Sequence, residues 1–195
     1  MPPGRKAGSE EAGDPSQAFS ELIRACGEKA YNFAYRLSGN EADARDLVGE
    51  AFAKAYEHFG RYDPTRPFET WLFKILHNVF LDAARRQSHG RTVSLDAPAP
   101  VEDAAWEDIL PGGGEEPGEG LLRREEDAIV QRALGTLPVH YRSAVALCDI
   151  EGLSYDEIGE IMACPVGTVR SRIHHGRLLV RRAYEAMAGS GGRLQ

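Results

Sequence analysis

The chain has 195 residues, 42% of them hydrophobic, which is enough for one or two small domains with an apolar core. No apolar run approaches the ~20 residues that span a bilayer, and the Pro/Gly-rich start has no secretory pattern, so neither a membrane-inserted nor a secreted protein is expected. The formal net charge of −7, from 23 bases and 30 acids, opposes nucleic-acid binding until its distribution is read: residues 96–120 carry eight acids and no base, between segments that are nearly neutral.

Residues 1–14 are rich in Gly, Pro and charge, the composition of a disordered terminus. Phe19, Leu22, Ile23 and Cys26 have helical spacing, and a second helical run covers residues 30–37 before Ser38-Gly39-Asn40 stops it. Asn40 is placed to cap the clearest helix of the chain, in which Ala44, Leu47, Val48, Ala51, Phe52, Ala55, Tyr56 and Phe59 recur at three and four. Its other face carries Asp43, Asp46, Gly49, Glu50 and Ala53, an acidic strip that suits either solvent or a docking partner.

Residues 60–67, GRYDPTRP, form a turn-rich loop, and residues 68–87 a further helix. Leu72, Ile75, Leu76, Val79 and Ala83 make its apolar stripe, and Lys74, Asn78, Asp82, Arg85 and Arg86 lie outside it. Tyr62, Phe68, Trp71, Phe73, His77 and Phe80 gather rings in and around this loop and helix. Rings beside cations suit single-stranded DNA, where each stacked base contributes roughly 1–3 kcal/mol. Rings at helical spacing also serve as core, and the spacing leaves both uses open.

The acidic stretch 96–120 combines Pro, Gly and carboxylates without a helical period, as a flexible tether does, with Trp106 and Ile109-Leu110 as apolar islands. Beyond it Ile129, Val130, Ala133, Leu134 and Leu137 form a helical stripe, Pro138 breaks it, and Tyr141, Val145 and Cys148 continue on another helix. Ser154 and Glu157 make a capping box before Ile158, Ile161 and Met162. The Ala163-Cys164-Pro165 break then separates this short helix from a last one starting near Val166, which is a helix-turn-helix. On the last helix Val169, Ile173, Gly176 and Val180 make one narrow inward stripe, while Gly167, Ser171, His174 and Leu178 point away from it. Arg170, Arg172, Arg177, Thr168 and His175 flank that outward face, and residues 165–184 hold five arginines and no acid. A solvated helix mixes its charge signs, whereas short polar groups with a basic margin suit base edges and phosphates.

No strand pattern appears, so the expected fold is all-α: two small helical domains joined by a flexible acidic linker, the C-terminal one containing the helix-turn-helix. The expected boundaries are 15–95, 96–120 and 121–188, with a tail over 189–195. Cys26, Cys148 and Cys164 are far apart and lack C-x-x-C spacing, so reduced thiols are expected rather than disulfides or a zinc knuckle. His174 and His175 are adjacent and point to different sides of a helix, and neither a phosphate loop nor a G-x-S-x-G motif is present. No enzyme, cofactor or metal site is therefore expected.

The stretch LSYDEI (153–158) followed by CPVGTVRSRI (164–173) resembles the promoter −35 binding segment of extracytoplasmic-function sigma factors, the small specificity subunits of bacterial RNA polymerase. DLVGEAF (46–52) is similar to the family segment that docks on the clamp helices of the polymerase largest subunit. PFETWLFKI (67–75), with Asn78, Asp82, Arg85 and Arg86, resembles the −10 recognition and melting segment, whose preceding loop captures an extruded base. The resemblance implies −35 contacts from Pro165, Gly167, Thr168, Arg170, Ser171, Arg172, His174, His175 and Arg177. It implies −10 contacts from Tyr62, Arg66, Phe68, Trp71, Lys74, Asn78, Arg85 and Arg86, and polymerase contacts from Asp43, Asp46 and Glu50. Implied partners are core RNA polymerase, through its clamp helices and flap, promoter DNA and an anti-sigma protein, all in the cytoplasm. The same resemblance would thread the acidic linker through the polymerase, where its charge would imitate RNA. The alternative from another class is a dimeric helix-turn-helix regulator on a palindrome, which accounts for the second domain but not the first.

Overall fold

The structure is a computed structural model that describes residues 15–88 and 120–191. The expectations for residues 1–14, the acidic tether with Trp106 and Ile109-Leu110, and the last residues of the tail lie outside them. Among the described residues every regular element is helical.

Three helices build the N-terminal lobe. Helix α1 (Pro15–Ser38) is continuous, where the sequence predicted two separate runs. Its buried residues Phe19, Ile23, Cys26, Ala30, Phe33 and Leu37 are spaced four, three, four, three and four, so a single apolar stripe crosses buried Gly27 and tertiary packing carries the helix through it. Helix α2 (Glu41–Glu57) begins where Asn40 accepts from the Asp43 backbone N–H at 2.8 Å, as the sequence predicted. It buries Ala44, Leu47, Val48, Ala51, Phe52 and Ala55 against α1. A 3₁₀ turn (Phe59–Arg61) and the loop after it lead to α3 (Phe68–Ser88), which packs on both.

The C-terminal lobe holds α4 (Gly120–Gly135), α5 (Val139–Val145), α6 (Tyr155–Ile161) and α7 (Val166–Gly191). After α5 the chain widens into a π turn over Ala146–Ile150, where the Glu151 N–H reaches the Ala146 carbonyl at 3.0 Å, and Gly152 at φ 72° then reverses the chain toward α6.

The two lobes are not beads on a string. Leu147, Ile158, Ile161 and Met162 belong to the same buried cluster as Phe33, Phe73 and Leu76, so one apolar core runs across the seam. Polar contacts fix the register there. Gln131, buried on α4, donates to the Tyr35 carbonyl at 3.0 Å and accepts from Arg36 at 3.3 Å. The Arg142 guanidinium donates to the Leu37 carbonyl and to those of Gly135 and Leu137, closing the C-terminal ends of α1 and α4 with one side chain.

Candidate nucleic-acid interface

Helix α6 starts on the capping box read from the sequence: the Glu157 N–H donates to Ser154 Oγ at 3.3 Å, and the Ser154 N–H donates to Glu157 at 2.8 Å. The turn that follows needs a left-handed residue, supplied by Ala163 at φ 49°. A close approach is also required at Gly159, where an added Cβ would lie 3.0 Å from the Cys164 carbonyl oxygen. Helix α7 then seats on α5 at Gly176, where a Cβ would meet Val145 Cγ2 at 2.5 Å. Both glycines exist because backbone meets backbone or packed side chain there, and together they set the angle at which α7 leaves the globule.

Val169, Ile173 and Gly176 are buried and Val180 is half-buried, so the inward stripe of α7 faces as the spacing predicted. Pro165, Gly167, Arg170, Ser171, His174, His175 and Arg177 are exposed, and Thr168 and Arg172 are half-buried. These positions cover the outward face of α7 and its two flanks but differ in freedom. Arg177 forks onto Asp149 of the π turn, with Nε 3.0 Å from Oδ2, which holds its guanidinium above the usual arginine range. Arg172 donates to Cys164 Sγ at 3.4 Å, and His175 Nδ1 lies 2.8 Å from the Ser171 carbonyl oxygen. Arg170 is exposed, and no carboxylate among the described residues pairs with it.

The second constellation lies in the N-terminal lobe. Tyr62 stacks on Phe59 at 6.0 Å, meets Phe68 edge-on at 5.2 Å and lies 5.3 Å from Trp71. Phe68 is buried beneath this cluster, whereas Tyr62 and Trp71 are half-buried and keep ring area at the surface. The loop is stiffened from within. Tyr62 donates its hydroxyl proton to the Arg66 carbonyl at 2.7 Å, and Asp63 accepts from the Thr65 N–H and hydroxyl at 3.0 and 2.7 Å. The Thr65 hydrogen bonds hold the Asp63 carboxyl below its ordinary range.

Beside these rings is an open cleft of about 410 Å³. Arg61, Arg66 and Lys74 line it with Tyr62 and Trp71, a set of cations and ring faces matched to a nucleotide strand. Asn78, Arg85 and Arg86 are exposed further along α3. Arg85 lies 2.9 Å from Asp82, and Arg86 lies 3.6 Å from Glu50. The structure thus brings Tyr62, Arg66, Trp71 and Lys74 together, and leaves Asn78, Arg85 and Arg86 on the same helix but outside the cleft.

On α2, Asp43 and Asp46 are exposed, but Asp43 is engaged by the Asn40 side-chain amide at 2.7 Å. Glu50 is half-buried between Lys54 at 2.8 Å and Arg86 at 3.6 Å. The acidic strip is therefore part salt-bridge network and part open.

Sequence reasoning missed the cleft's far wall. Glu157 and Glu160 of α6 face the loop, with Arg66 on Glu160 at 3.2 and 3.4 Å and the Thr70 hydroxyl 3.5 Å from Glu157. Arg61 stood in the quoted loop and could have been found as a cation among turn residues. Nothing local points to the two carboxylates, since they lie about 90 residues away in sequence. Two titratable groups, one buried and one half-buried, also sit at the seam. His77 is 4% exposed, neither ring nitrogen hydrogen-bonds to the described residues, and burial, followed by the Arg172 charge, pushes its pKa down to about 4. Glu151 is pushed up to about 7 by burial and by Glu69, against the opposing charges of Lys29 and Arg36.

Comparison with known proteins places families on both lobes. Residues 22–90 match Sigma-70 region 2, and residues 127–180 match Sigma-70 region 4. The chain is 42% identical over 175 residues to the ECF RNA polymerase sigma factor SigE of Mycolicibacterium smegmatis, covering 90% of this chain and 64% of that protein. It is 33% identical over 165 residues to the ECF RNA polymerase sigma factor SigW of Bacillus subtilis, covering 85% and 88%. Among solved structures, the sigma factor RpoE of Bartonella quintana, in complex with the anti-sigma factor NepR, shares the fold at a TM-score of 0.64. It is 23% identical and covers 87% of this chain and 98% of that one. No helix among the described residues is long and apolar enough to cross a membrane.

Proposed function

The chain belongs to the extracytoplasmic-function (group IV) sigma factors, promoter-specificity subunits of bacterial RNA polymerase, and on that premise we propose how its side chains divide the promoter between the lobes. As a sigma factor it is an initiation factor and not an enzyme: it binds core RNA polymerase and directs initiation at promoters. A dimeric repressor or activator leaves the region 2 lobe without a role.

Helix α7 enters the −35 major groove. Arg170, Ser171 and His174 face base edges from its exposed side, Pro165, Gly167 and Thr168 bring its N-terminal turn close to the DNA, and Arg172, His175 and Arg177 meet phosphates. The observation that carries this reading is Arg170, exposed on the flank of that side with no carboxylate to neutralise it among the described residues. The loop at Tyr62 and Arg66, with Trp71 and Lys74, holds the −10 strand; Phe68 supports the rings from below, and Asn78, Arg85 and Arg86 guide the strand along α3. Asp43, Asp46 and Glu50 of α2 dock on the polymerase clamp helices, and the C-terminal lobe docks on the flap.

The two promoter-reading units occupy 15–95 and 121–188, and the acidic stretch 96–120 tethers them. The site of action is the cytoplasm. An anti-sigma protein holds the chain inactive, a reading supported by the RpoE–NepR structure, which has the same fold. The test is in vitro transcription with purified core polymerase on a promoter library. Arg170→Ala is expected to lower −35 affinity by ~1–3 kcal/mol and to relax selection at one or two −35 positions. An equal fall at every promoter would place Arg170 on the backbone instead.

A further inference from the structure

The cleft beside Tyr62 has walls of opposite charge drawn from opposite ends of the chain. Arg61, Arg66 and Lys74 come from the N-terminal lobe, whose one lining carboxylate, Asp63, is held by Thr65, and Glu157 and Glu160 come from α6. Glu160 presents both oxygens to the Arg66 fork at 3.2 and 3.4 Å, as a phosphate would. Glu157, already fixed by its capping box, accepts from Thr70 at 3.5 Å. The contact is backed by the continuous apolar core and by the Gln131 and Arg142 bonds to the carbonyls ending α1. Among the described residues, the outward face of α7 carries no such cover.

Distance makes this packing incompatible with a promoter. Elements at −35 and −10 lie about 25 base pairs apart, or about 85 Å at 3.4 Å per step. Glu160 touches Arg66, and the ten residues from Glu160 to Arg170 span at most about 36 Å even when fully extended. Allowing for the two side chains, loop and reading face stay within about 50 Å while the contact holds.

We infer that α6 is a built-in cover for the single-strand loop. In the free chain Glu157 and Glu160 take the strand's place on Thr70 and Arg66, and the lobes part before a −10 strand is held. The inference rests on the reading of that loop as the −10 site. The seam is also poised to open: both nitrogens of His77 and Glu151 Oε1 are buried without partners among the described residues and regain water when the lobes separate.

The test is fluorescence anisotropy of the full chain with two labelled random-sequence probes, single-stranded DNA of about ten nucleotides and a duplex of about twenty pairs. Glu157→Gln with Glu160→Gln keeps a capping side chain on α6 while removing both charges. It is expected to tighten single-strand binding about tenfold and leave duplex binding through α7 within about twofold. Glu160→Gln alone, which leaves the capping box intact, is expected to act in the same direction to a smaller extent. Equal tightening for both probes would overturn the inference, because it would reflect net charge alone. Adding Arg66→Ala and Lys74→Ala to the open variant tests the underlying reading separately. If these abolish single-strand binding while the glutamine changes do nothing, the loop reads the strand but α6 does not cover it. If they change nothing, the loop is not the strand site and the inference falls with it.

Discussion

On the proposed reading, the chain meets nucleic acid with two faces that solve the same problem differently. On α7 a rigid helix carries exposed Arg170, Ser171 and His174 on a scaffold set by two glycine contacts, and nothing among the described residues covers them. In the N-terminal lobe a loop holds Tyr62 and Trp71 against Phe68, and its Arg66 already touches Glu160 of the other lobe. Duplex DNA offers its grooves without being opened, so a preformed helix suffices. A melted strand exists only after initiation has begun, so a loop that would bind any single strand benefits from a cover. What separates the two faces is availability rather than charge.

The strongest way to break the ready face is from beneath. Gly176→Val forces a branched side chain into Val145 and the Tyr141 carbonyl, and is expected to destabilise the C-terminal lobe by about 3 kcal/mol in urea titration, because overpacking outweighs the gain in helix propensity. Removing the cap of α6 with Ser154→Ala is expected to cost about 1 kcal/mol by the same measurement. His77→Leu should act the other way, raising stability by about 1 kcal/mol, because it replaces two unpartnered buried nitrogens with carbon; a fall in stability would mean that the ring has a partner.

The smallest effect is on pH dependence. Glu151 has its folded pKa raised to about 7, so its contribution to lobe packing is present below the ordinary carboxylate range and is lost as pH rises through about 7. His77 has its folded pKa depressed to about 4, so its contribution is present above the ordinary imidazole value and is lost as pH falls toward 4. Thermal melts of Glu151→Gln should therefore lose the decline toward pH 7, and those of His77→Leu the decline on the acid side. Unchanged profiles would place both groups in solvent.

What the sequence revealed and what it hid follow from range. The capping box, the Asn40 cap and the α7 stripe are decided within a few residues, and each was legible from spacing alone. The join of two helical runs into α1 was not, because Gly27 is a local argument against a helix that core packing overrides. Arg142 and Gln131 read as ordinary polar residues, yet they close carbonyls of a helix about 95–105 residues away. The same range hid the acidic wall of the cleft, since Glu157 and Glu160 carry no local sign that they face Arg66 and Thr70.

The most direct measurement is energy transfer between dyes at Glu57→Cys in α2 and Asp156→Cys in α6, both exposed, in a chain with Cys148 and Cys164 replaced by serine. Transfer should be high in the free protein and should collapse when the chain is assembled with core polymerase on promoter DNA, as the lobes move from within about 50 Å toward about 85 Å. Low transfer in the free chain, or no change on assembly, would contradict a covered loop and an open helix in one molecule.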